Sequence, residues 1–548
     1  MFRLVSQKRQ NIANQLLAAR RAPRVKRTQA FIEFLGDNAH MSRLPYLAPC
    51  VNATPLNLIP RRLRVMSGSK PAISAKERVA QEAFGNRPSH ESRGSIKQGL
   101  DTLAAPADIR APQKRKMQQV HIGLAGMGNV GAGVFKNLAN NRVLLMERIG
   151  AELAVKKIVV RDPSRQRDVA APAALYTTRW EDLIEDPDIQ VVVELMGGMH
   201  PARELILGAI ERGKMVVTGN KALLAEHGRE IFEAAAAHKV PVFFEAAAAG
   251  GVPIIKAIRE AFIGNHILSM YGIINGTCNY ILTRMTESGM SFDDALAEAQ
   301  AAGFAEADPT LDINGWDAAH KAIILASLAY GFWVGTDKVY VEGIQEITST
   351  DIRFAAQLGY TIKLLAIIKA GKRSEIEVRV HPTLIPNAHV LASVKGVFNA
   401  IAVNGDIVGE TLFYGRGAGQ DPTSSAVISD LAEAAAALNA PRFSFGFTPH
   451  GLYGTCKSID QIVSQYYLHI CVDDEPGVLA QVAGILGSLK IGISSVIQPE
   501  EHEPDSVPLI LMVHTATNGQ MHTALEKITQ LPCVKRPPRM IRVETFSA

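Results

Sequence analysis

Three glycines near residue 130 have the spacing of a phosphate-binding turn. Gly126, Gly128 and Gly131 form a G-x-G-x-x-G pattern between the apolar run 120–125 and a helix-forming stretch. Strand, glycine turn and helix in this order are the context in which the pattern binds a dinucleotide. The first glycine permits a tight turn, the second lets the backbone approach a pyrophosphate, and the third allows close packing of the helix on the strand. The segment therefore predicts a dinucleotide site, with a purely structural glycine turn as the alternative.

The end of the next β-rich run indicates which dinucleotide is favoured. The run 154–160 is followed directly by Arg161 and Asp162. An acid at this strand end usually binds the ribose 2′-hydroxyl, whereas an arginine suits a 2′-phosphate. Because Arg161 comes first, the sequence favours NADP over NAD, unless Arg161 is simply a solvated loop cation.

A polar segment further along the chain carries groups that could transfer a proton. Asp312, Asp317, His320 and Lys321 lie close together, and Asn314 is placed to cap the helix that follows. Asp317 and Lys321 are four residues apart, so they share one face of a helix. By spacing alone they are an ordinary surface ion pair, although an ammonium group is also a possible general acid or base.

Alternating strands and helices must position these residues. The β-rich runs cover residues 190–195, 214–218 and 240–244, with a helical segment at 201–212. This alternation is typical of a doubly wound parallel sheet. Ligands of such sheets bind outside the carboxyl ends of the strands, which is where Asn220, Lys221 and Glu245 fall.

Two further regions have a different order. Runs at 375–380 and 400–403 predict a second sheet beneath the site, which is also a possible dimer surface. Residues 465–545 follow the order βαββαβ, which is the ferredoxin-like pattern.

Composition limits the class of protein. The 548 residues are 47% hydrophobic and 20% charged, as in ordinary soluble domains, and no apolar run is long enough to predict a membrane span. The five cysteines form no CxxC pair, which argues against a disulfide framework and a thiolate zinc site and fits a reducing compartment.

The net charge of +5 conceals an asymmetry. Residues 1–117 carry 22 Lys and Arg against 7 Asp and Glu, a local net charge of +15, so the remainder carries −10. We expect this segment to be a disordered extension or an over-extended reading frame, with a folded protein starting near Met117. An organelle presequence and a nucleic-acid-binding arm are the alternatives.

Six separated motifs, in the same order, closely resemble the homoserine dehydrogenase family over about residues 118–435. They are GLAGMGNVG (123–131), TGNKALLAEHG (218–228), EAAAAGGVPI (245–254), GIINGTCNYILTRM (272–285), GFAEADPTLDINGWDAAHK (303–321) and YGRGAGQDPTSSAV (414–427). The resemblance implies an enzyme that interconverts L-homoserine and aspartate 4-semialdehyde with NAD(P). Composition and spacing alone lead only to a Rossmann-type oxidoreductase.

The resemblance also implies roles for individual residues. Lys321, Lys221 and Asp317 are expected to be catalytic, with Lys321 as the general acid and base. Substrate binding is assigned to Glu306, Asp312, Lys221 and Gly303, and Asn275, Gly276 and Thr277 are expected to shape the same cleft. Cofactor binding is assigned to Gly126, Gly128, Asn129, Val130, Gly131, Arg161, Lys221, Gly303 and Gly419. A glycine-rich run ending at Gly419 is expected to return the chain to the nucleotide domain.

Related enzymes wrap a monovalent cation, usually sodium, in the segment that begins at Glu245. The matching positions here are Glu245, Ala248, Gly250 and Val252, although a tight strand-to-helix turn explains the same residues. Cys278 would be a nucleophile in an acylating semialdehyde dehydrogenase, but the family motif around it favours a buried, inert side chain.

The string DEPGVLAQVAGIL (474–486) resembles an ACT domain, a module that binds amino acids near a loop that here contains Gly477. Threonine is the expected effector, and an assembly role without ligand is the alternative. Cutting the chain after about Lys457 is then expected to leave activity and abolish inhibition. A fused aspartate kinase would need several hundred residues upstream, so a monofunctional enzyme is expected.

The domain boundaries expected from the sequence follow from these motifs. They are 1–117 (extension), 118–252 (NAD(P) binding), 253–435 (catalysis and dimerisation), 436–463 (linker) and 464–548 (ACT). We expect a cytoplasmic homo-oligomer, dimer or tetramer, without nucleic acid or membrane partners, or an organelle protein if the extension is a transit peptide. A non-enzymatic sensor and another NADP-dependent dehydrogenase are the competing hypotheses, and the presence of the whole catalytic set favours the enzyme.

Overall fold

The computed structural model describes residues 118–439, 446–499 and 506–546. The expected disordered extension, 1–117, lies outside these residues, as do parts of the expected linker. Among the described helices, none combines the length and the apolarity needed to cross a lipid bilayer.

Six short strands form the first sheet, and all of their pairings are parallel. They are β1 (Gln118–Ala125), β2 (Ala151–Val159), β3 (Tyr176–Thr177), β4 (Val191–Glu194), β5 (Met215–Thr218) and β6 (Val242–Phe243). Their order is β3-β2-β1-β4-β5-β6, which is that of dinucleotide-binding sheets. Every residue of β4 and β5 is buried, as expected for central strands covered on both faces. The predicted doubly wound sheet is therefore confirmed.

Helices connect these strands. They are α1 (Asn129–Asn140), α2 (Arg142–Ile149), α3 (Glu181–Glu185), α4 (Ala202–Glu211) and α5 (Lys221–His238). The helix-forming stretch after the glycine turn is divided into α1 and α2, because Asn141 leaves the helical region with a ψ of 14°.

A second, mixed sheet follows, and its first five strands pair antiparallel in the order β12-β11-β7-β9-β10. The strands of this region are β7 (Ile267–Ile273), β8 (Tyr340–Val341), β9 (Tyr360–Ala370), β10 (Glu375–Pro386), β11 (Phe398–Gly405), β12 (Gly409–Arg416) and β13 (Thr455–Cys456). Its helices are α6 (Ile254–Lys256), α7 (Gly276–Ser288), α8 (Phe292–Ala301), α9 (Thr310–Ile313), α10 (Trp316–Tyr330), α11 (Ser349–Gln357) and α12 (Gln420–Asn439). The predicted second sheet is present, and its strands are longer than the sequence runs indicated.

The C-terminal region has the predicted βαββαβ order. Its elements are β14 (Val463–Val472), α13 (Val478–Ser488), β15 (Ile493–Ile497), β16 (Val507–Thr517), α14 (Asn518–Thr529) and β17 (Arg539–Val543). The four strands lie in the order β17-β14-β16-β15 and pair antiparallel. β17 also pairs in parallel with β10, through Thr383 with Arg542 and Leu384 with Val543. The C-terminal module therefore continues the sheet of the catalytic region.

Buried charges join the module to the catalytic region at this junction. Asp351 on α11 is fully buried and accepts hydrogen bonds from His469 (2.7 Å), Arg539 (2.9 Å) and Tyr467 (3.2 Å). Burial would raise the pKa of Asp351, but its bonds to His469 and Thr348 and the charges of His469 and Arg539 lower it to about 2. Removing these partners would leave a buried carboxylate with little compensation.

Candidate active site

The glycine turn between β1 and α1 faces an open cavity of about 660 Å³. Gly126 has a φ of +102°, and a Cβ there would lie 2.4 Å from the carbonyl oxygen of Leu195, so only glycine fits. At Gly128 a Cβ would meet no atom within 4 Å, because this residue borders the cavity. The N-terminus of α1 is thus free to face a phosphate group, as a dinucleotide requires.

At the far end of β2 three arginines line the same cavity: Arg161, Arg165 and Arg167. The Asp162 carboxylate is turned into its own loop, where it accepts the N–H (2.8 Å) and hydroxyl (2.6 Å) of Ser164. These bonds lower the pKa of Asp162. The side chains of Arg161 and Arg165 make no hydrogen bond or ion pair within the described part of the chain, whereas Arg167 donates to the backbone carbonyls of Arg165 (2.8 Å) and Asp162 (2.7 Å). The end of the cavity is therefore rich in unpaired positive charge.

The glycine-rich run before α12 brings the chain back to the nucleotide-binding region. Gln420 borders the cavity; its side-chain amide donates to Asn129 (3.3 Å) and accepts from Lys136 on α1 (2.9 Å). Lys136 also pairs with Asp421 at 2.7 Å. This return of the chain was expected from the sequence, but the hydrogen bond between the Gln420 and Lys136 side chains was not.

The two lysines assigned to catalysis meet at one carboxylate. The Lys321 ammonium donates to Asp317 Oδ2 at 2.6 Å, and the Lys221 ammonium lies 3.3 Å from Asp317 Oδ1. Lys321 also donates to the carbonyl of Ile274 at 2.8 Å. An ammonium has three N–H groups, so one N–H of Lys321 is left to bind a substrate oxygen.

A neighbouring amide and a second carboxylate complete this cluster. The Asn275 side-chain amide donates to Asp317 Oδ2 (2.9 Å) and to Asp312 Oδ1 (2.7 Å). Burial would raise the pKa of Asp317, but the charges of Lys321 and Lys221 lower it to about 2. Asp317 thus stays ionised and orients both lysines. The pKa of Asp312 is raised by burial and by the charge of Asp317.

The start of α10 differs from the sequence-based expectation. Gly315, not Asn314, is the N-cap of α10, and its φ of +88° suits glycine. Asn314 instead accepts the N–H of Trp316 at 3.3 Å. The expectation was wrong by one residue, because the cap depends on a left-handed turn that the residue types did not specify.

Lys221 is the first residue of α5, and a polar network fixes its position. The Asn220 side chain accepts the N–H of Leu223 at 3.2 Å and donates to the carbonyl of Gly198 at 2.7 Å. Glu194 is part of the same network: it is fully buried, and its carboxylate accepts a hydrogen bond from the Thr218 hydroxyl at 2.7 Å. Sequence reasoning missed Glu194, because an acid at a strand end is usually exposed; its place inside the apolar run 190–195 was the available signal.

The loop that carries Gly303 and Glu306 is tied to the same region. Thr277 at the start of α7 donates its hydroxyl to the carbonyl of Phe304 at 2.8 Å, and Gln300 donates to the carbonyl of Glu306 at 3.2 Å. The Glu306 side chain is exposed. Among the described residues, no hydrogen bond or ion pair joins it to the two-lysine cluster, which consists of Lys321, Lys221 and Asp317. The fold thus brings Lys321, Asp317, Lys221 and Asp312 together and leaves the Glu306 side chain free in the neighbouring loop.

Cys278 is not placed for nucleophilic chemistry. It is fully buried, and its thiol donates to the carbonyl of Asp312 at 3.1 Å. Burial and the nearby carboxylates raise the pKa of this thiol well above its usual value, so it stays protonated. His320 is half-buried, with its ring 6.0 Å from that of Trp316, in keeping with a packing role.

The expected cation segment is buried and irregular. The Glu245 carboxylate accepts the N–H groups of Ile255 (3.1 Å) and Lys256 (2.8 Å), so the side chain caps α6. Successive left-handed residues, Ala249 and Gly250, redirect the backbone carbonyls. No group of three or more His, Cys, Asp or Glu suited to a metal occurs among the described residues.

Some residues assigned to the cofactor do not border the cavity beside the glycine turn. Its lining includes Gly126, Gly128, Asn129 and Arg161, but not Val130, Gly131, Lys221, Gly303 or Gly419. A Cβ on Gly131 would lie 2.1 Å from the carbonyl oxygen of Gly126, so this glycine serves the packing of the turn.

Two family models match the chain. "Homoserine dehydrogenase, NAD binding domain" matches residues 126–245, and "Homoserine dehydrogenase" matches residues 253–432. Both matched stretches coincide with the two regions that form the site.

Relatives and solved structures agree with this match. The homoserine dehydrogenases of Pseudomonas aeruginosa and Neisseria gonorrhoeae are 47% and 45% identical to the chain, covering 79% and 78% of it and 100% of each relative. The crystal structure of the homoserine dehydrogenase from Thiobacillus denitrificans superposes with a TM-score of 0.74 at 44% identity, over 78% of this chain and 99% of that one. A hyperthermophilic archaeal homoserine dehydrogenase in complex with NADPH gives a TM-score of 0.51 at 27% identity, over 59% of this chain and 99% of that one. With its dinucleotide-binding sheet, its two-lysine cluster and these relatives, the chain belongs to the homoserine dehydrogenase family.

Proposed function

We propose that the chain interconverts L-homoserine and L-aspartate 4-semialdehyde, with NADP as its preferred cofactor, in the biosynthesis of threonine, methionine and isoleucine. The observation that supports this reaction best is the pair of lysines held on Asp317, with one N–H of Lys321 unused. When bound, the nicotinamide exchanges a hydride with the alcohol carbon. The protein must then move one proton and hold the amino acid.

Lys321 is suited to the proton transfer. In the direction of aldehyde reduction, its ammonium donates a proton to the aldehyde oxygen as that oxygen gains negative charge. In the reverse direction, the neutral amine accepts the hydroxyl proton. Asp317 remains ionised and keeps the Lys321 side chain aligned, while Lys221 adds a second positive charge close to the developing alkoxide.

This reaction can be tested directly with the purified full chain. A spectrophotometric assay at 340 nm, with homoserine and either NADP or NAD, should show homoserine-dependent reduction of the cofactor. Cofactor binding without any turnover would instead support the non-enzymatic sensor. Turnover with another hydroxy amino acid but not with homoserine would support a different dehydrogenase.

Glu306 is proposed to bind the substrate's amino group, because its carboxylate is exposed and unpaired in the loop next to the cluster. Glu306→Ala should raise the KM for homoserine roughly ten-fold or more, as expected from losing a charged hydrogen bond, with a smaller effect on kcat. Asp293→Ala is the matched control, since it removes an exposed carboxylate from the neighbouring helix α8. A KM unchanged by Glu306→Ala would remove this residue from substrate binding.

The preference for NADP rests on the unpaired arginines at the end of β2. Arg161→Ala should raise the KM for NADP by roughly ten- to one-hundred-fold, which is the loss of a charge-assisted contact worth about 1.5–3 kcal/mol. The KM for NAD should change much less, because NAD has no 2′-phosphate. Equal changes for both cofactors would show that Arg161 shapes the loop without recognising the phosphate.

A monovalent cation, probed best with sodium, is proposed to bind Glu245 and the backbone carbonyl oxygens of Ala248, Gly250 and Val252. The left-handed residues between Ala248 and Gly251 support this arrangement. The Val252 carbonyl also accepts the N–H of Ile254 at 2.8 Å, so it is the least available of the four.

The C-terminal module is proposed to be an ACT domain that senses threonine. The turn at 474–477 is exposed, and Gly477 is the N-cap of α13, where the N-terminus of the helix favours a bound carboxylate. A homo-oligomer is also proposed, because the edge strand β12 exposes Leu412 and Tyr414. A cytoplasmic location remains a prediction from the sequence.

A further inference from the structure

Glu194 is a buried acid at the point where the dinucleotide-binding sheet changes direction. It is the last residue of β4, it pairs with Ala125 of β1 and with Thr218 of β5, and its side chain is fully buried. The turn that follows it, 195–197, lines the cavity beside the glycine turn. In sheets with this strand order, the dinucleotide binds in the crevice at this switch point.

The Glu194 carboxylate accepts hydrogen bonds from neighbouring N–H and hydroxyl groups. Oε1 accepts the backbone N–H groups of Met196 (2.8 Å) and Gly197 (3.3 Å), and Oε2 accepts the Thr218 hydroxyl (2.7 Å). Donors of this kind favour the ionised carboxylate, although burial raises the pKa of Glu194. Among the described residues, no lysine, arginine or histidine forms an ion pair with it. Within this part of the chain, the Glu194 carboxylate therefore has no counter-ion.

The same hydrogen-bond network fixes the position of Lys221 at the start of α5. The Thr218 hydroxyl accepts the N–H of Asn220 at 3.0 Å, and Asn220 in turn donates to the carbonyl of Gly198 and caps α5. Glu194 thus connects the loop after β4 with the loop after β5, and Lys221 is the next residue.

We propose that Glu194 is a positioning residue of the cofactor site whose buried charge favours the oxidised, positively charged nicotinamide over the reduced, neutral one. A cationic ring bound in this crevice supplies the counter-ion that the described residues do not provide. A neutral ring does not, so the carboxylate stabilises the two redox forms to different extents.

The test is the ratio of the dissociation constants for NADP⁺ and NADPH, measured by calorimetry without substrate. Glu194→Gln keeps the shape and removes the charge, so it should weaken NADP⁺ relative to NADPH, with the ratio changing on the order of ten-fold for one buried charge. Glu194→Asp keeps the charge and should leave the ratio near that of the unmodified protein.

Thr218→Val is the matched control for shape. It removes the hydroxyl from the network but keeps the carboxylate, so both redox forms should weaken alike and the ratio should stay unchanged. Circular dichroism and thermal unfolding identify variants that fold. If Glu194→Gln folds and leaves the ratio unchanged, the charge of Glu194 does not affect the preference between the two redox forms. If Glu194→Gln does not fold, Glu194→Asp becomes the deciding variant, and a changed ratio in that variant overturns the proposal.

Discussion

Lys321→Ala should lower kcat by one-hundred-fold or more, which is the usual loss when a general acid or base is removed. Lys321 is the group best placed to exchange a proton, because two of its N–H groups are fixed by Asp317 and Ile274 and one is unused. The loss should be seen in steady-state turnover of homoserine and in single-turnover reduction of the cofactor. The dissociation constant for NADP should change little, since Lys321 does not border the glycine-turn cavity.

The control for this variant is Lys338→Ala. Lys338 is an exposed lysine paired with Asp337, so its removal should leave turnover unchanged. Lys221→Ala should also reduce turnover, because Asp317 would lose one of its two cations. If Lys321→Ala retained full turnover, Lys321 would have no part in proton transfer and Lys221 would be the next candidate.

Gly477→Asp should abolish inhibition by threonine. Removal of residues 458–548 is a separate change and should destabilise the protein. An aspartate at Gly477 places a negative charge in the proposed carboxylate-binding turn and strains a residue with a φ of +93°. Each initial rate should be measured against threonine concentration and compared with the same variant's rate without threonine. Gly484→Asp, on an exposed part of the same helix α13, is the matched control and should remain inhibited.

The structure changes the expectation for the truncated chain. Cutting after about Lys457 removes His469 and Arg539 from the buried Asp351, and it removes β17 from the edge of β10. Loss of even one partner from a buried pair costs about 3–5 kcal/mol, and here both charged partners and the strand pairing are lost, so thermal unfolding should occur at a clearly lower temperature. A truncated protein as stable as the full chain would show that the shared sheet contributes little.

Equal inhibition of the unmodified protein and Gly477→Asp would place threonine elsewhere, for example at the active site as a homoserine mimic. Absence of inhibition in both would mean that the module binds a different amino acid or serves assembly. These outcomes leave the dehydrogenase reaction itself untouched, because its test does not involve threonine.

Local chemistry in the sequence determined a large part of this protein. Gly131 must be glycine because its Cα lies against the backbone of nearby Gly126, and the spacing of Asp317 and Lys321 fixes them on one helical face. Strand and helix alternation was likewise enough to predict the doubly wound sheet and the βαββαβ module. The residue roles came from the family resemblance, since an i, i+4 ion pair is by itself uninformative.

The tertiary structure decided what separate segments do together. Only the fold brings Lys221 to the carboxylate already bound by Lys321, and only burial distinguishes Glu194 from an ordinary strand-end acid. The pairing of β17 in the C-terminal module with β10 could also not be predicted from the sequence. Pairing between distant strands depends on which sheet edges lie side by side in the folded chain. Charge and spacing along a chain are local properties, whereas burial and the meeting of remote side chains arise only when the whole chain has packed.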